Sequence, residues 1–126
     1  MTREWESAVQ RCAVAELERQ LANGADINAK DRRGQTAVMI AAREGHADLI
    51  AWLAEHGAVL DGPGKYGLSP LMVAVVRGHT EVVRRLVAAG ADTTSRGTGA
   101  PGFAGKTALD LATGRGDAAM IEILKK

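Results

Sequence analysis

A repeat of 33 residues runs through the chain and constrains its fold more than any other sequence feature. Glycines recur at this spacing from Gly24 to Gly57 to Gly90, and again from Gly45 to Gly78. Beyond Gly78 the spacing grows to 38, because five residues are inserted before the last unit. A fixed period of this length is typical of solenoids, in which each short unit packs only against its neighbours.

Within each unit the residue pattern predicts two short helices. A hydroxyl residue, Thr36, Ser69 or Thr107, precedes the first apolar run, where it can accept hydrogen bonds from unpaired backbone N–H groups. A glycine ends this run, and a second run such as ADLIAWLAEH follows. Aromatic residues are only 3% of the chain, which favours closely packed helices built on small and aliphatic side chains. The first and last units carry charged residues on their helices and are predicted to be polar end caps.

These units resemble the ankyrin repeat. The matching text is G-x-T-A-V-M-x-A-A-x-x-G-H from Gly34, G-x-S-P-L-M-x-A-x-x-x-G-H from Gly67 and G-K-T-A-L-D-x-A from Gly105. The resemblance implies an all-α solenoid of paired antiparallel helices with short β-hairpin or loop fingers between them. We expect a single domain over residues 1–126. Its units are expected at about 1–30, 31–63, 64–101 and 102–126.

Some positions depart from the family motif. Met39, Met72 and Asp110 stand where the motif has histidine, and Ala37 and Ala108 stand where it has proline. Methionine adapts its shape to fill gaps between packed elements. We therefore predict that Met39 and Met72 belong to an apolar seam between units.

The inserted segment between Thr93 and Ala104 is predicted to be the most mobile part of the chain. It contains several glycines and a proline, and Phe103 is almost its only apolar residue. Segments of this composition lie on the surface and vary in conformation. Phe103 is the expected anchor.

One stretch, APGFAGKT from Ala100 to Thr107, fits the loose pattern of a nucleotide-binding phosphate loop. A phosphate loop must follow a buried strand and begin a helix, so that its backbone N–H groups surround the phosphates. The preceding residues, ADTTSRGTG, are polar and do not form such a strand. Gly105 and Thr107 match the turn glycine and capping hydroxyl of earlier units, and Lys106 stands at a variable position. A nucleotide enzyme is therefore the least favoured alternative.

Other reactive residues also fit repeat roles. His46 and His79 share one repeat position, so a metal site is conceivable, but each is expected to hydrogen bond to loop backbone. Cys12 stands where later units have Gly45 and Gly78, and we predict a small turn residue there. No pair of residues at catalytic spacing is found. We expect no enzymatic activity, no metal and no cofactor.

The resemblance also implies where a partner binds, because finger tips and the exposed side of each first helix form a concave binding face in this family. Those positions carry seven basic residues and one acid, although the formal net charge of the whole chain is only +1. Two of the four aromatic residues also fall there. The predicted partner-binding residues are Arg32, Arg33, Gln35, Arg43, Glu44, Lys65, Tyr66, Leu68, Val76, Arg77, Phe103, Lys106 and Arg115.

These observations predict a non-enzymatic protein–protein interaction module that binds an acidic segment or patch of another protein. The same basic face could instead bind an anionic ligand or a nucleic acid. The low net charge and the lack of a DNA- or RNA-reading motif favour a protein partner. No stretch approaches the ~18 apolar residues of a membrane span. We expect a cytoplasmic monomer.

Overall fold

The computed structural model describes residues 1–62, 67–98 and 102–125. These residues form eight α-helices and no extended strand, which confirms the predicted all-α fold. The helices are α1 (Arg3–Gln10), α2 (Val14–Ala22), α3 (Ala37–Glu44), α4 (Ala47–Glu55), α5 (Pro70–Arg77), α6 (Thr80–Ala88), α7 (Ala108–Arg115) and α8 (Ala118–Lys125).

The helices pack in two layers. In the inner layer α1, α3, α5 and α7 lie side by side in chain order, and each packs against the second helix of its own unit. In the outer layer α4, α6 and α8 follow one another in the same way. The indole Nε1 of Trp52 in α4 donates a hydrogen bond of 3.2 Å to the Glu18 carboxylate in α2. Four helix pairs in a row form the predicted solenoid.

The inner helices begin and end as the repeat pattern predicts. The side-chain oxygens of Thr36, Ser69 and Thr107 each accept a hydrogen bond from the backbone N–H three residues further on. Each helix then ends at a glycine with φ between 69° and 81°, a left-handed conformation that glycine adopts without a Cβ clash. Cys12 takes the equivalent turn in the first unit with φ 55°, so the prediction of a turn residue is confirmed.

The core lies between neighbouring units. All six residues from Ala37 to Ala42 are buried, because α1 and α5 cover α3 from its two sides. Both methionines are buried, Met72 at 1% and Met39 at 6% exposed. Met72 belongs to the hydrophobic core as predicted, whereas Met39 lies outside that cluster. Alanines in the inner helices allow this close approach, since their side chains add little volume between the helices.

Side chains at equivalent positions bind backbone N–H groups of the next unit. Asn28 Oδ1 accepts a hydrogen bond of 2.8 Å from the Val59 N–H, and Asp61 Oδ1 accepts one of 2.8 Å from the Asp92 N–H. Asp61 follows Asn28 by 33 residues, and Asp92 follows Val59 by 33. One interaction is thus made twice along the stack, and it ties each connecting loop to the next.

Carbonyl groups near the ends of the inner helices also receive donors from the next unit. His79 Nε2 lies 2.9 Å from the Arg43 carbonyl oxygen, so His79 binds backbone as predicted, but this carbonyl belongs to α3 and not to a loop. The equivalent carbonyl one unit later belongs to Val76, and Arg115 Nη1 donates to it over 3.1 Å. Asp117 replaces the histidine in the last unit, and a carboxylate cannot donate to a carbonyl. The Arg115 guanidinium therefore supplies the donor.

The two ends of the inserted segment are held together by backbone hydrogen bonds. Gly97 N–H donates to the Lys106 carbonyl and Gly105 N–H donates to the Gly97 carbonyl, each over 2.9 Å. Phe103 is half-buried and packs against the core, in agreement with the expectation that it anchors the segment. Residues 99–101 lie outside the described residues, so the predicted mobility of the segment stays a prediction.

Two left-handed glycines offer a matched test of the turn geometry. An added Cβ at Gly45 would lie 2.9 Å from the His79 ring, whereas one at Gly116 would meet no atom within 4 Å. We expect Gly116→Ala to lower the unfolding free energy by about 1 kcal/mol, the strain of a left-handed alanine. We expect Gly45→Ala to lower it by about 2–3 kcal/mol, because the His79 hydrogen bond is also displaced. Urea unfolding measures both, and equal losses would contradict this role of His79.

Candidate partner-binding face

A groove of about 610 Å³ lies on the concave side of the first two units, between α1, α3 and the finger at residues 31–35. We call it the basic groove, because four arginine side chains and only two carboxylates line it. The charged lining residues are Arg3, Arg32, Arg33, Arg43, Glu6 and Asp31. Two parts of the chain that are distant in sequence, α1 and the segment formed by the finger and α3, thus present cations to one concavity.

The finger that carries two of these arginines is closed by Asp31. Its Oδ1 accepts hydrogen bonds of 2.9 Å from the backbone N–H groups of Arg33 and Gln35. The Gln35 carbonyl in turn accepts a hydrogen bond of 2.9 Å from the Asp31 N–H. The Asp31 carboxylate is therefore engaged within the turn, while Arg32 and Arg33 are exposed at its tip.

Three predicted site residues contact one another at the end of α3, where Gln35 and Arg43 line the basic groove and Glu44 lies beside it. Arg43 is half-buried, and its Nη1 donates a hydrogen bond of 3.0 Å to Gln35 Oε1. Its Nε lies 3.1 Å from the carboxylate of Glu44. The guanidinium is thus held in one orientation by two side chains, with part of its charge offset by Glu44.

The first unit contributes residues that the sequence prediction missed. Arg3 and Gln10 of α1 line the basic groove, although this unit was expected only to cap the stack. Gln10 precedes Arg43 by 33 residues, so the repeat period could have identified Gln10 as a residue of the binding face. Arg3 directly follows Thr2, whose side chain caps α1 by accepting from the Trp5 N–H.

A second concavity, of about 250 Å³, lies between α5, α7 and the finger before α7. We call it the apolar cleft, because Val76, Phe103 and Leu111 form its walls beside Gly114. Its charged lining residues are Lys106, Asp110 and Arg115. Of these residues, the sequence prediction included Val76, Phe103, Lys106 and Arg115 and missed Leu111.

Other predicted site residues lie elsewhere. Leu68 is only 9% exposed and belongs to the core, so its inclusion among the partner-binding residues is corrected. Gln35, at the equivalent position of the preceding unit, lines the basic groove instead. Arg77 is exposed at the end of α5 but lines neither concavity. Lys65 and Tyr66 lie outside the described residues.

The Gly-Lys-Thr stretch forms the start of an ordinary repeat helix. Thr107 N–H donates to Asp110 Oδ2 over 3.0 Å, and Asp110 N–H donates to Thr107 Oγ1 over 3.2 Å. This reciprocal capping places a carboxylate at the helix N-terminus, where a phosphate would otherwise bind. Lys106 lines the apolar cleft together with Asp110, whose carboxylate occupies that terminus. The structure thus gives these residues the repeat roles that their spacing predicts.

Two further properties concern the described ranges 1–62, 67–98 and 102–125. Within them, no three His, Cys, Asp or Glu side chains converge as ligands for a metal ion. Within the same ranges, no helix has the length and apolar character needed to cross a bilayer.

The capping of α7 predicts a pH dependence. The Thr107 backbone N–H lowers the pKa of Asp110, and the Thr107 side chain and the charges of Arg96 and Lys106 lower it further. A carboxyl whose pKa is lowered by folding stabilises the protein above its unfolded pKa of about 3.9, and this contribution is lost as the pH falls through the folded value. Asp110→Asn keeps an acceptor oxygen but does not titrate. We expect the variant to lose less stability than the wild type between about pH 5 and about pH 2.

Urea midpoints measured across that pH range test this expectation. Glu16 and Asp92, whose pKa values are also lowered, are present in both proteins and act as an internal reference. Parallel stability curves for the two proteins would show that Asp110 does not contribute to the acid sensitivity.

Comparison with known proteins agrees with this architecture. A family model of ankyrin repeats in three copies matches residues 7–97, which is most of the chain. A search of the curated proteins finds no match. The period, the capped helix pairs and this match lead to one conclusion: the chain belongs to the ankyrin repeat family, whose repeats generally serve as protein–protein interaction modules.

Proposed function

We propose that this chain is a non-enzymatic binding module that holds an acidic segment of a partner protein in the basic groove. The observation that carries the proposal is the convergence of four arginines from α1, α3 and the finger on one concavity. The four guanidinium groups outnumber the two carboxylates of the lining, Glu6 and Asp31, and the Asp31 carboxylate is held by the backbone N–H groups of its own turn.

The arginines of the groove suit carboxylate ligands in two ways. A guanidinium can bind a carboxylate with two parallel hydrogen bonds, which adds geometric specificity to the charge attraction. Arg43 is held by Gln35 and Glu44, so little side-chain freedom remains to be lost when a ligand binds. The exposed Arg32 and Arg33 would mainly raise the association rate, because clustered cations steer acidic partners toward them.

The composition of the groove favours a peptide over a nucleic acid. Glu6 and two glutamines, Gln10 and Gln35, lie among the arginines. A fixed carboxylate would repel a continuous phosphate backbone, whereas discrete carboxylates of a peptide can alternate with such groups. Among the described residues that line the groove, none is aromatic, although base stacking on aromatic rings is the usual way of holding single strands.

The same lining supports a binding role rather than catalysis. Among its described residues there is no serine, threonine, cysteine or histidine that could act as a nucleophile or as a general base near neutral pH. Amides and guanidinium groups recognise a ligand without reacting with it, and of the two carboxylates in the lining, that of Asp31 is held by backbone N–H groups of its own turn.

The proposal predicts that binding depends on the charge of the finger tip. The probe is a synthetic peptide of eight glutamates, and the matched neutral peptide has eight glutamines. We expect Arg32→Glu with Arg33→Glu to lower the association rate of the acidic peptide about tenfold or more at low salt and to flatten its salt dependence. Stopped-flow fluorescence or surface-plasmon measurements at several salt concentrations give both quantities.

The control is Arg19→Glu with Arg84→Glu, which changes the net charge equally on exposed residues of the outer helices. This control should keep most of the wild-type rate, because local potential rather than net charge governs the encounter. Equal rates for both double variants, or equal binding of the glutamine peptide, would contradict the proposal. Tighter binding of a single-stranded oligonucleotide than of the acidic peptide would favour the nucleic-acid alternative.

A further inference from the structure

One repeat position on the concave face changes its chemical character halfway along the stack. Read at equivalent places in the four units, it holds Gln10, Arg43, Val76 and Gly114. The first two line the basic groove and the last two line the apolar cleft. The repeat places all four on the same side of the inner helices. One concave surface therefore offers a charged half and an apolar half.

The apolar cleft presents hydrophobic surface to solvent. Val76 is 37% exposed, although it is a large apolar residue, and Phe103 and Leu111 beside it are half-buried. A cavity of roughly 150 Å³ holds a benzene ring, so an open cleft of about 250 Å³ has room for one aliphatic or aromatic side chain.

Charged groups around the cleft are arranged as at the edge of a binding hot spot. Lys106 and Arg115 line it, and the hydrogen bond from Arg115 to the Val76 carbonyl fixes that guanidinium. An apolar pocket surrounded by polar groups that exclude water is the usual setting of an interface hot spot. Asp110 also lines the cleft, so the two cations leave one net positive charge at this half of the face, which favours the same acidic partner.

The distance between the two sites follows from helix packing. The centre of the groove lies between α1 and α3, and that of the cleft lies between α5 and α7, so two inner-helix spacings separate them. Packed helices lie 8–10 Å apart, which gives about 16–20 Å. An extended peptide covers about 3.3 Å per residue, so five or six residues span this distance.

We infer that the partner segment is an extended peptide with one large apolar side chain five or six residues from its acidic residues, and that the apolar side chain occupies the apolar cleft. This inference rests on the proposed function, because the acidic residues occupy the basic groove.

The test uses fluorescently labelled peptides in which four glutamates are joined to one phenylalanine by flexible Gly-Ser spacers of two, five or nine residues. Both orders along the peptide are made, and matched peptides carry alanine in place of phenylalanine. Binding to the full chain is measured by fluorescence anisotropy into the millimolar range.

With the five-residue spacer in one order, we expect phenylalanine to tighten binding about 10- to 100-fold over alanine, as burial of one such side chain allows. With the two-residue spacer only the two outer glutamates lie five or six residues from phenylalanine, so fewer carboxylates reach the groove together with the ring and the gain should be smaller, and nine residues dilute the effect.

The variant Val76→Gln identifies the cleft as the site. Glutamine is a neutral helix-forming residue, and Val76 is exposed, so the fold and the net charge should be kept. Thermal melting confirms that the variant folds. We expect it to remove most of the gain from phenylalanine while leaving the affinity of the alanine peptide within about twofold.

The outcomes separate this inference from the proposed function. Salt-dependent binding of the alanine peptide with no gain from phenylalanine at any spacing would overturn the inference and leave the proposed function standing. A gain that is the same at every spacing, or unchanged by Val76→Gln, would also overturn it. If no peptide binds up to millimolar concentration, both the inference and the proposed function fail.

Discussion

Burial of apolar surface between neighbouring units is the interaction on which the rest of the structure depends. A single pair of eight- or nine-residue helices is too short to be stable alone, so each unit is held by the units beside it. The difference between α3 and α7 shows this directly. The inner helix α3 packs between two inner-layer neighbours, and six consecutive residues of it are buried. The inner helix α7 packs against one such neighbour, and its buried residues are Ala108 and Ala112. The grooves exist only because this stacking fixes the inner helices.

Hydrogen bonds between units make the stack specific as well as compact. Apolar packing by itself would tolerate small rotations between helices, but Asn28 and Asp61 each fix a backbone N–H of the following loop. His79 and Arg115 do the same for carbonyl groups of the preceding helix. The relative orientation of units is thereby defined, and the arginines of the basic groove are presented by a preformed surface. Preorganisation of this kind lowers the entropic cost of binding.

Much of the fold could be predicted from the sequence, because period, caps and turn glycines are local signals that each unit repeats. The side chains of the face were less predictable, since their direction depends on tertiary neighbours. Leu68 and Gln35 share a repeat position, yet Leu68 is buried in the core and Gln35 binds Arg43. From the sequence, Arg115 is predicted to be one more exposed cation. In the structure its guanidinium donates the hydrogen bond between units that a histidine makes in the preceding unit. Only the structure shows that the predicted cations do not form one row. Arg32, Arg33 and Arg43 line one concavity, Lys106 and Arg115 line another, and Arg77 lines neither.

The most direct test of the account is to locate where an acidic peptide binds. The full chain is titrated with an octaglutamate peptide, and NMR measures the change in the backbone amide chemical shift of each residue. The account predicts that the largest shifts fall on α1, the finger at residues 31–35 and the end of α3, and that they weaken as salt is added. Largest shifts on the outer helices α4 and α6, or shifts spread evenly over all exposed basic residues, would contradict it.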